Sequence, residues 1–294
     1  MASLKEIQRK IGSVKNTQKT TRAMKLVSSA KLNRTKELAE QSKVYAAKIT
    51  EMIQDIASNI SKDGASLDNV FFKEVKNPKV VDIVFVTADK GLCGGFNSQT
   101  IKRVNALLEA YAAEGVKVRL RAIGKKGISY FKFNNIDMLQ EISDLSASPT
   151  YERAAAFIGE VIEDYISGAT DKIVVVHNGY VNMITQEIRQ EQAVPVDASA
   201  LTVDAVSTSE LELEPDDDDT LLEALVKRYL EYLMYYALID SLAAEHSARM
   251  QAMESATNNA KDMVDMLSVK YNKARQEAIT TELIEIISGV ESMK

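Results

Sequence analysis

Residues 216–288 read DDDDTLLEALVKRYLEYLMYYALIDSLAAEHSARMQAMESATNNAKDMVDMLSVKYNKARQEAITTELIEIIS, from Asp216 to Ser288, and hold neither proline nor glycine, although the chain has four and twelve of them. Proline lacks a backbone donor and glycine adds backbone freedom, so both interrupt helices. These 73 residues therefore predict one helix, roughly 110 Å long at 1.5 Å per residue. Its apolar positions alternate three and four apart: Leu222, Leu225, Tyr229, Tyr232, Tyr236, Ile239, Ala243, Met250, Met253, Ala260, Val264, Leu267, Tyr271, Ala274 and Ala278. Only His246 and Thr257 interrupt the series. A 3.5-residue repeat held this long predicts a left-handed coiled coil, and a coiled coil needs a partner strand.

That partner is expected at the other end of the chain. Residues 3 to about 60 carry Leu4, Ile7, Ile11 and Val14, and the alternation resumes at Leu38, Tyr45, Ile49, Met52 and Ile56. Ser3 with Glu6 has capping-box spacing. Between the apolar runs lies a basic, polar stretch, Lys15-Asn16-Thr17-Gln18-Lys19-Thr20-Thr21-Arg22. The two helices would run antiparallel, because a globular segment has to join their far ends. The C-terminal helix is the longer, so part of it would project beyond its partner or be gripped by another protein.

From Val80 the pattern changes. Val80–Thr87 is a β-branched run that reads as a buried strand. A glycine-rich turn follows, then a helix from about Asn97 to Glu114, a strand at 116–123, a helix opened by Pro149 and closed near Gly168, a strand at 172–177 and another at 183–194. This β-α-β alternation predicts a parallel sheet with helices on its faces. The expected fold class is α/β: a long antiparallel two-helix coiled coil with an inserted Rossmann-like α/β domain carrying a mainly parallel sheet. The expected segments are 1–62 for the N-terminal coiled-coil helix, 63–77 for a linker, 78–210 for the globular domain and 211–294 for the C-terminal coiled-coil helix.

The net charge of −6 hides an asymmetry: residues 1–36 have ten Lys/Arg and one acid, whereas residues 216–294 have eight Lys/Arg and fifteen Asp/Glu. Opposite ends of opposite sign can pair or meet different partners. The single cysteine, Cys93, excludes an internal disulfide. No apolar run approaches the roughly 20 residues needed to span a bilayer. The opening residues show no signal-peptide core, and a soluble, cytoplasmic chain is expected.

Several residues invite a chemical reading. Asp89-Lys90-Gly91-Leu92-Cys93-Gly94-Gly95-Phe96-Asn97 lies between a strand and a helix, where phosphate loops occur, but its spacing is neither G-x-G-x-x-G nor the P-loop pattern. The plainer reading is a tight turn. Cys93 as a nucleophile would want a histidine base, and His177 at a strand end is the nearer of the two histidines; structural roles for Cys93, His177 and His246 are favoured. Asp216 to Asp219 lack cation-loop spacing and suit the negative charge preferred at a helix start. The basic N-terminal stretch is as compatible with an acidic protein partner as with nucleic acid or lipid. No base, nucleophile and oxyanion donor come together, and neither cofactor nor metal is expected.

Three stretches together resemble one family. Ile11-Gly12-Ser13-Val14-Lys15-Asn16-Thr17-Gln18-Lys19-Thr20-Thr21-Arg22-Ala23-Met24-Lys25-Leu26-Val27 is similar to the opening of the gamma subunit of F-type ATP synthase, and the loop Asp89–Asn97 is similar to a second motif of that family. Arg249-Met250-Gln251-Ala252-Met253, Ala256–Ala260 and the run from Tyr271 to Gly289 resemble its C-terminal signature. The match runs end to end in the family's order. Val290 departs from the usual alanine, and Leu211-Glu212-Leu213-Glu214-Pro215 departs from an aromatic-rich pattern.

The resemblance implies a rotating central stalk that couples ion translocation to ATP synthesis or hydrolysis without an active site of its own. The implied partners are the alpha and beta subunits around the C-terminal tip, and the epsilon subunit and membrane c-ring at the globular foot. The implied location is the cytoplasmic face of a bacterial inner membrane, with membrane association through the complex only and no nucleic acid. By resemblance Arg275, Gln276, Thr280 and Glu282, with Arg22, Met24 and Lys25, contact beta subunits. Leu283, Ile284, Ile286, Ile287 and Val290 form a bearing in the head, and Glu212, Leu213 and Glu214 contact the c-ring. A cytoplasmic coiled-coil scaffold, or a nucleotide-binding enzyme built on the α/β domain, would explain parts of the pattern but not the three signatures.

Overall fold

Helix α1 spans Leu4–Lys62 and helix α5 spans Asp218–Glu291 in the computed structural model. The structure describes residues 4–62, 70–73, 75, 77–196 and 218–293, without the side chains of 43–47, 49–62, 218–222 and 291. Ser3, the linker residues 63–69, the strip Leu211–Pro215 with Glu212, Leu213 and Glu214, and Asp216 and Asp217 lie outside the described residues.

The inward side of α1 is a strict heptad series. Leu4, Ile7, Ile11, Val14, Gln18, Thr21, Lys25, Ser28, Leu32, Thr35, Ala39 and Ser42 are buried or half-buried, always three or four apart. The seam therefore runs unbroken through the stretch that the sequence pattern reads as a polar gap. Small and polar side chains keep the helices close there, so periodicity survives while hydrophobicity does not. Leu38, expected on the seam, is 43% exposed, and Ala39 takes its place.

The chain divides into two compact units, residues 1–29 with 249–294, and residues 30–248. In the first, Thr21 and Thr257 share a hydroxyl hydrogen bond of 2.7 Å and Lys25 Nζ donates to Glu254 Oε1 at 2.6 Å. Rising numbers on one helix thus meet falling numbers on the other, which makes the pair antiparallel. Thr257 is a seam residue and not an interruption. On α5 the inward positions are Met250, Met253, Thr257, Ala260, Val264, Leu267, Tyr271 and Ala274. The register through Thr21 and Thr257 places Leu4 opposite Ala274. Past that point α1 has ended, and every described side chain from Arg275 to Val290 is exposed, Ala278 included.

The second unit is built on a five-stranded sheet of order β3-β2-β1-β4-β5. Strands β1 (Val80–Val86), β2 (Lys117–Ile123), β3 (Gln140–Ile142) and β4 (Lys172–Tyr180) run parallel, and β5 (Gln186–Val194) is antiparallel to β4. A tight return at Val181–Thr185 makes β4 and β5 a hairpin, so the last strand starts at Gln186 rather than Met183. Helices α2 (Phe96–Ala113), α3 (Lys125–Phe133) and α4 (Tyr151–Ile166) cover the sheet. Alternation along β1 sorts its side chains between two cores. Val81, Ile83 and Phe85 join Val104, Leu107 and Phe131 of α2 and α3. Val84 and Val86 join Phe157, Ile158 and Ile162 of α4 and Val226, Leu230, Met234 and Leu238 of α5.

Asp82 breaks the apolar run of β1 and is wholly buried. The register sets it opposite Arg119, with Arg121 two residues further along β2. Both guanidinium groups bond to its carboxylate, at 2.6 and 2.8 Å, and Asp164 of α4 completes the network. A buried carboxylate is tolerated when its charge is paired and its lone pairs are filled.

Candidate functional site

The glycine-rich loop is packed from within and from α5. Ala88, Cys93 and Phe96 form a small core with Ala244 and Ala248. Asn97 holds the loop closed: its Oδ1 accepts from the Ala88 amide at 2.8 Å and its Nδ2 donates to Cys93 Sγ at 3.2 Å. Leu92 and Gly94 have positive φ, 63° and 57°, which gives the turn its tightness. The loop's chemistry is that of a structural turn docked on a helix. Cys93 is buried and bonded to Asn97. His177 does not reach it as a base; its Nε2 pairs with Asp240 Oδ2 of α5 at 3.1 Å. The sequence pair Cys93–His177 is thereby split between two separate structural tasks.

Around this loop α5 loses its amphipathic character. From Ala237 to Ala248 every residue is buried except Leu242, which is half-buried. The titratable side chains of this stretch are buried with the rest: Asp240, Glu245 and His246 have under a tenth of their surface exposed. Asp240 accepts from His177, from the Tyr180 amide at 3.1 Å and from Arg189 at 2.7 Å. Periodicity of apolar residues misses this contact. Its one signal in the sequence is that Asp240 is the only charge between Tyr232 and Ala244.

The residues singled out on the shaft fall into two groups. Arg22 is exposed, Met24 is half-buried and Lys25 is half-buried against Glu254. Arg22 and Lys25 line a shallow groove on the coiled coil with Lys19 and Lys261, so four cations share one surface. Arg275, Gln276, Thr280 and Glu282 lie on the unpaired tip and are exposed, with the Thr280 hydroxyl turned back to the Gln276 carbonyl at 2.9 Å. Leu283, Ile284, Ile286, Ile287 and Val290 are 53%, 58%, 58%, 64% and 52% exposed. At 100° per residue these five and Ile279 occupy a sector of about 160° on the helix, and Thr281, Glu285, Ser288 and Gly289 lie opposite. Among the described residues no group of His, Cys, Asp and Glu could hold a metal ion, and no helix is long and apolar enough to cross a membrane.

An antiparallel helix pair with a free apolar tip, joined to an α/β domain whose phosphate-type loop is filled by its own helix, defines a mechanical subunit of a larger assembly. Comparison with known proteins is consistent with that class and narrows it. A family profile described as ATP synthase matches residues 3–293. The ATP synthase gamma chain of Sulfurovum sp. (strain NBC37-1) is 70% identical over 295 residues, covering all of both chains. That of Sulfurimonas denitrificans is 58% identical over 296 residues, again covering all of both. Among solved structures, a chain of the Euglena gracilis mitochondrial ATP synthase matches 99% of this chain and 94% of its own, with a TM-score of 0.69 at 18% identity. A chain from the Tetrahymena thermophila mitochondrial ATP synthase central stalk and c-ring matches 81% and 99%, with a TM-score of 0.63 at 24% identity. These two share the fold. The chain belongs to the ATP synthase gamma-chain family, and it is the non-catalytic, central-stalk rotor subunit of that enzyme.

Proposed function

We propose that this chain is turned by the membrane c-ring through its α/β domain and drives the catalytic beta subunits through the tip of α5. Residues 1–62 and 211–294 form the shaft, 63–77 the linker and 78–210 the foot, with the epsilon subunit and c-ring below and the alpha and beta subunits around the tip. The assembly sits on the cytoplasmic face of a bacterial inner membrane. One observation carries the reading. The coiled-coil seam stops at Ala274, and the helix continues to Glu291 with large apolar side chains half in water. Burying the remaining half of each such side chain gains about 1 kcal/mol, so the tip is built to be covered by another protein.

Within that frame Leu283, Ile284, Ile286, Ile287 and Val290 are the bearing, and Arg275, Gln276, Thr280 and Glu282 are the polar handles. The groove of Arg22 and Lys25 beside Met24 faces an acidic beta-subunit segment, and Glu212, Leu213 and Glu214 belong to the c-ring contact. Glu282→Cys in the assembled enzyme tests the placement. The native Cys93 is buried, so the introduced thiol is the accessible one. A disulfide from it to a cysteine placed on the beta subunit should form, stop ATP turnover and be reversed by reductant. A fully assembled complex that forms no such cross-link would refute the placement.

A further inference from the structure

Resting on the rotor reading, we propose that Asp240, Arg189 and His177, with the space left by Gly179, form a polar key that fixes the rotational register of α5 in the α/β domain and carries torsional load between them.

The need for a key comes from the bed in which α5 lies. Val226, Leu230, Met234 and Leu238 seat the earlier part of α5 in one core, but beside the glycine-rich loop its apolar contacts are the small Ala244 and Ala248. Apolar contact is non-directional, so this alanine-faced segment resists translation out of its bed better than rotation about the helix axis. Directional bonds are what set an angle. Buried ionic groups are best attested in that registering role.

Asp240 has the geometry for it. Its side chain is 6% exposed and both oxygens are used. Oδ1 accepts the Tyr180 amide at 3.1 Å; Oδ2 accepts Arg189 Nη1 at 2.7 Å and pairs with His177 Nε2 at 3.1 Å. The donors come from both strands of the β4–β5 hairpin, so one carboxylate ties the helix to two strands. The second ring nitrogen of His177 has no partner among the described residues. Since an ionised carboxylate only accepts, the bond to Asp240 is donated by an Nε2–H. Seven residues on, two turns along the same side of α5, Ser247 makes a neutral counterpart. It accepts from Gln186 Nε2 at 3.1 Å and donates to the Met183 carbonyl at 2.9 Å. The hairpin thus grips the helix at two heights, by charge at Asp240 and by a hydroxyl at Ser247.

Gly179 is the independent sign that the arrangement is built. A Cβ there would stand 2.4 Å from Arg189 Nε and 2.8 Å from its Cζ. The guanidinium reaches Asp240 by lying across β4 where no side chain stands. Gly179 has no positive φ, so its backbone does not require glycine; the Arg189 side chain does.

Gly179→Ala is therefore the cleanest test, since the atoms it meets belong to a flexible side chain that can swing away and leave Asp240. The measurement is the angular fluctuation of a probe fixed to the α/β domain of the assembled complex, with the head immobilised and the rotor paused between steps. Asp240→Asn, which removes the charge at one of the two polar anchors, should raise the variance about twofold. Gly179→Ala, which displaces Arg189 but leaves Tyr180 and His177 on Asp240, should raise it measurably but less, and ATP hydrolysis at low load should stay unchanged in both. Arg189→Lys, which keeps a cation for Asp240, should retain most of the stiffness. If Asp240→Asn fails to assemble, Gly179→Ala carries the test alone. An assembled Gly179→Ala complex with wild-type variance overturns the key while leaving the rotor reading intact. A wild-type complex whose α/β domain does not turn against the head overturns the rotor reading itself, and the key with it.

Discussion

Replacing Asp82 by alanine is expected to destabilise the α/β domain by about 3 kcal/mol. The figure follows from what the carboxylate leaves behind. Its side chain has no exposure, and it accepts from Arg119 Nε at 2.6 Å, Arg119 Nη2 at 2.8 Å and Arg121 Nε at 2.8 Å. Arg121 is 2% exposed. Burial works against the charge on Arg119, the hydrogen bond and charge of Asp82 outweigh it, and the guanidinium is held above its ordinary pKa. Removing one partner of such a buried pair costs about 3–5 kcal/mol, because a charge stays buried without compensation. Here the loss is partial: Arg119 keeps Asp164 at 3.1 Å, and Arg121 keeps Asp164 and the Gln140 side chain at 3.0 Å. The low end of the range therefore applies.

Asp164 supplies the internal comparison. It touches the same two arginines, but its side chain is 35% exposed, so water can replace it and Asp164→Ala should cost about 1 kcal/mol or less. Urea unfolding followed by tyrosine fluorescence separates the two, because every tyrosine except Tyr271 lies within residues 30–248 and the chain has no tryptophan. With a slope of about 2 kcal/mol/M, Asp82→Ala should lower the midpoint by about 1.5 M. Asp82→Leu combined with Arg121→Met removes both buried charges and should recover much of that loss. A shift below about 0.3 M for Asp82→Ala, or a larger shift for Asp164→Ala, would refute the reasoning.

Three further outcomes are expected. Gly124→Ala should cost about 3 kcal/mol or more, because Gly124 sits at φ +99° and a Cβ would lie 1.9 Å from the Thr87 carbonyl oxygen; a loss under about 1 kcal/mol in the same urea assay would contradict it. The hydrogen bond and charge of Lys125 hold the Asp144 carboxyl below its ordinary pKa. A depressed carboxylate favours folding above its unfolded pKa and loses that contribution as pH falls through the folded value. Carbon-13 titration of Lys125→Met should return Asp144 toward the ordinary range, with no measurable change in stability at neutral pH since both side chains are exposed. Met24→Lys adds a cation beside a groove that already holds Lys19, Arg22, Lys25 and Lys261. It should lower ATP-driven ion pumping more than ATP hydrolysis, and an unchanged ratio in membrane vesicles would count against an acidic partner there.

The parts of the fold written in apolar spacing were legible in the sequence. The seam of Met250, Met253, Ala260, Val264, Leu267, Tyr271 and Ala274, and the β-branched run of β1, were of this kind. The parts written in shape were not. Thr21, Ser28, Thr35 and Ser42 hold the heptad by being small or by sharing hydrogen bonds, so a search for hydrophobic residues sees a gap and accepts Leu38 one position off the seam. Strand β3 is three residues long, too short for alternation to register. The reversed direction of β5 depends on the tight return at Val181–Thr185, and its residues carry no mark of which way the chain will run. Asp240 is a lone charge in an apolar run, but Arg189 lies 51 positions away, and only the folded hairpin shows that the two belong together.

The tip of α5 joins these observations to the function. On the rotor reading proposed above the tip turns in a sleeve of three catalytic subunits, and it cannot single out one of them if its surface is the same all round. A tip that is only apolar would turn freely and signal nothing. The sequence pattern alone suggests apolar residues on several faces, but helical geometry gathers Ile279, Leu283, Ile284, Ile286, Ile287 and Val290 into less than half the circumference. The remainder carries Thr281, Glu285, Ser288 and Gly289, which are small or charged. On the rotor reading, at each angle one wall of the sleeve meets the apolar sector and the others meet the small or acidic side. With six half-exposed side chains at about 1 kcal/mol each, up to about 6 kcal/mol can change hands between walls as the tip turns. That is enough to bias one site of three by about two orders of magnitude if even half of it is expressed as a difference.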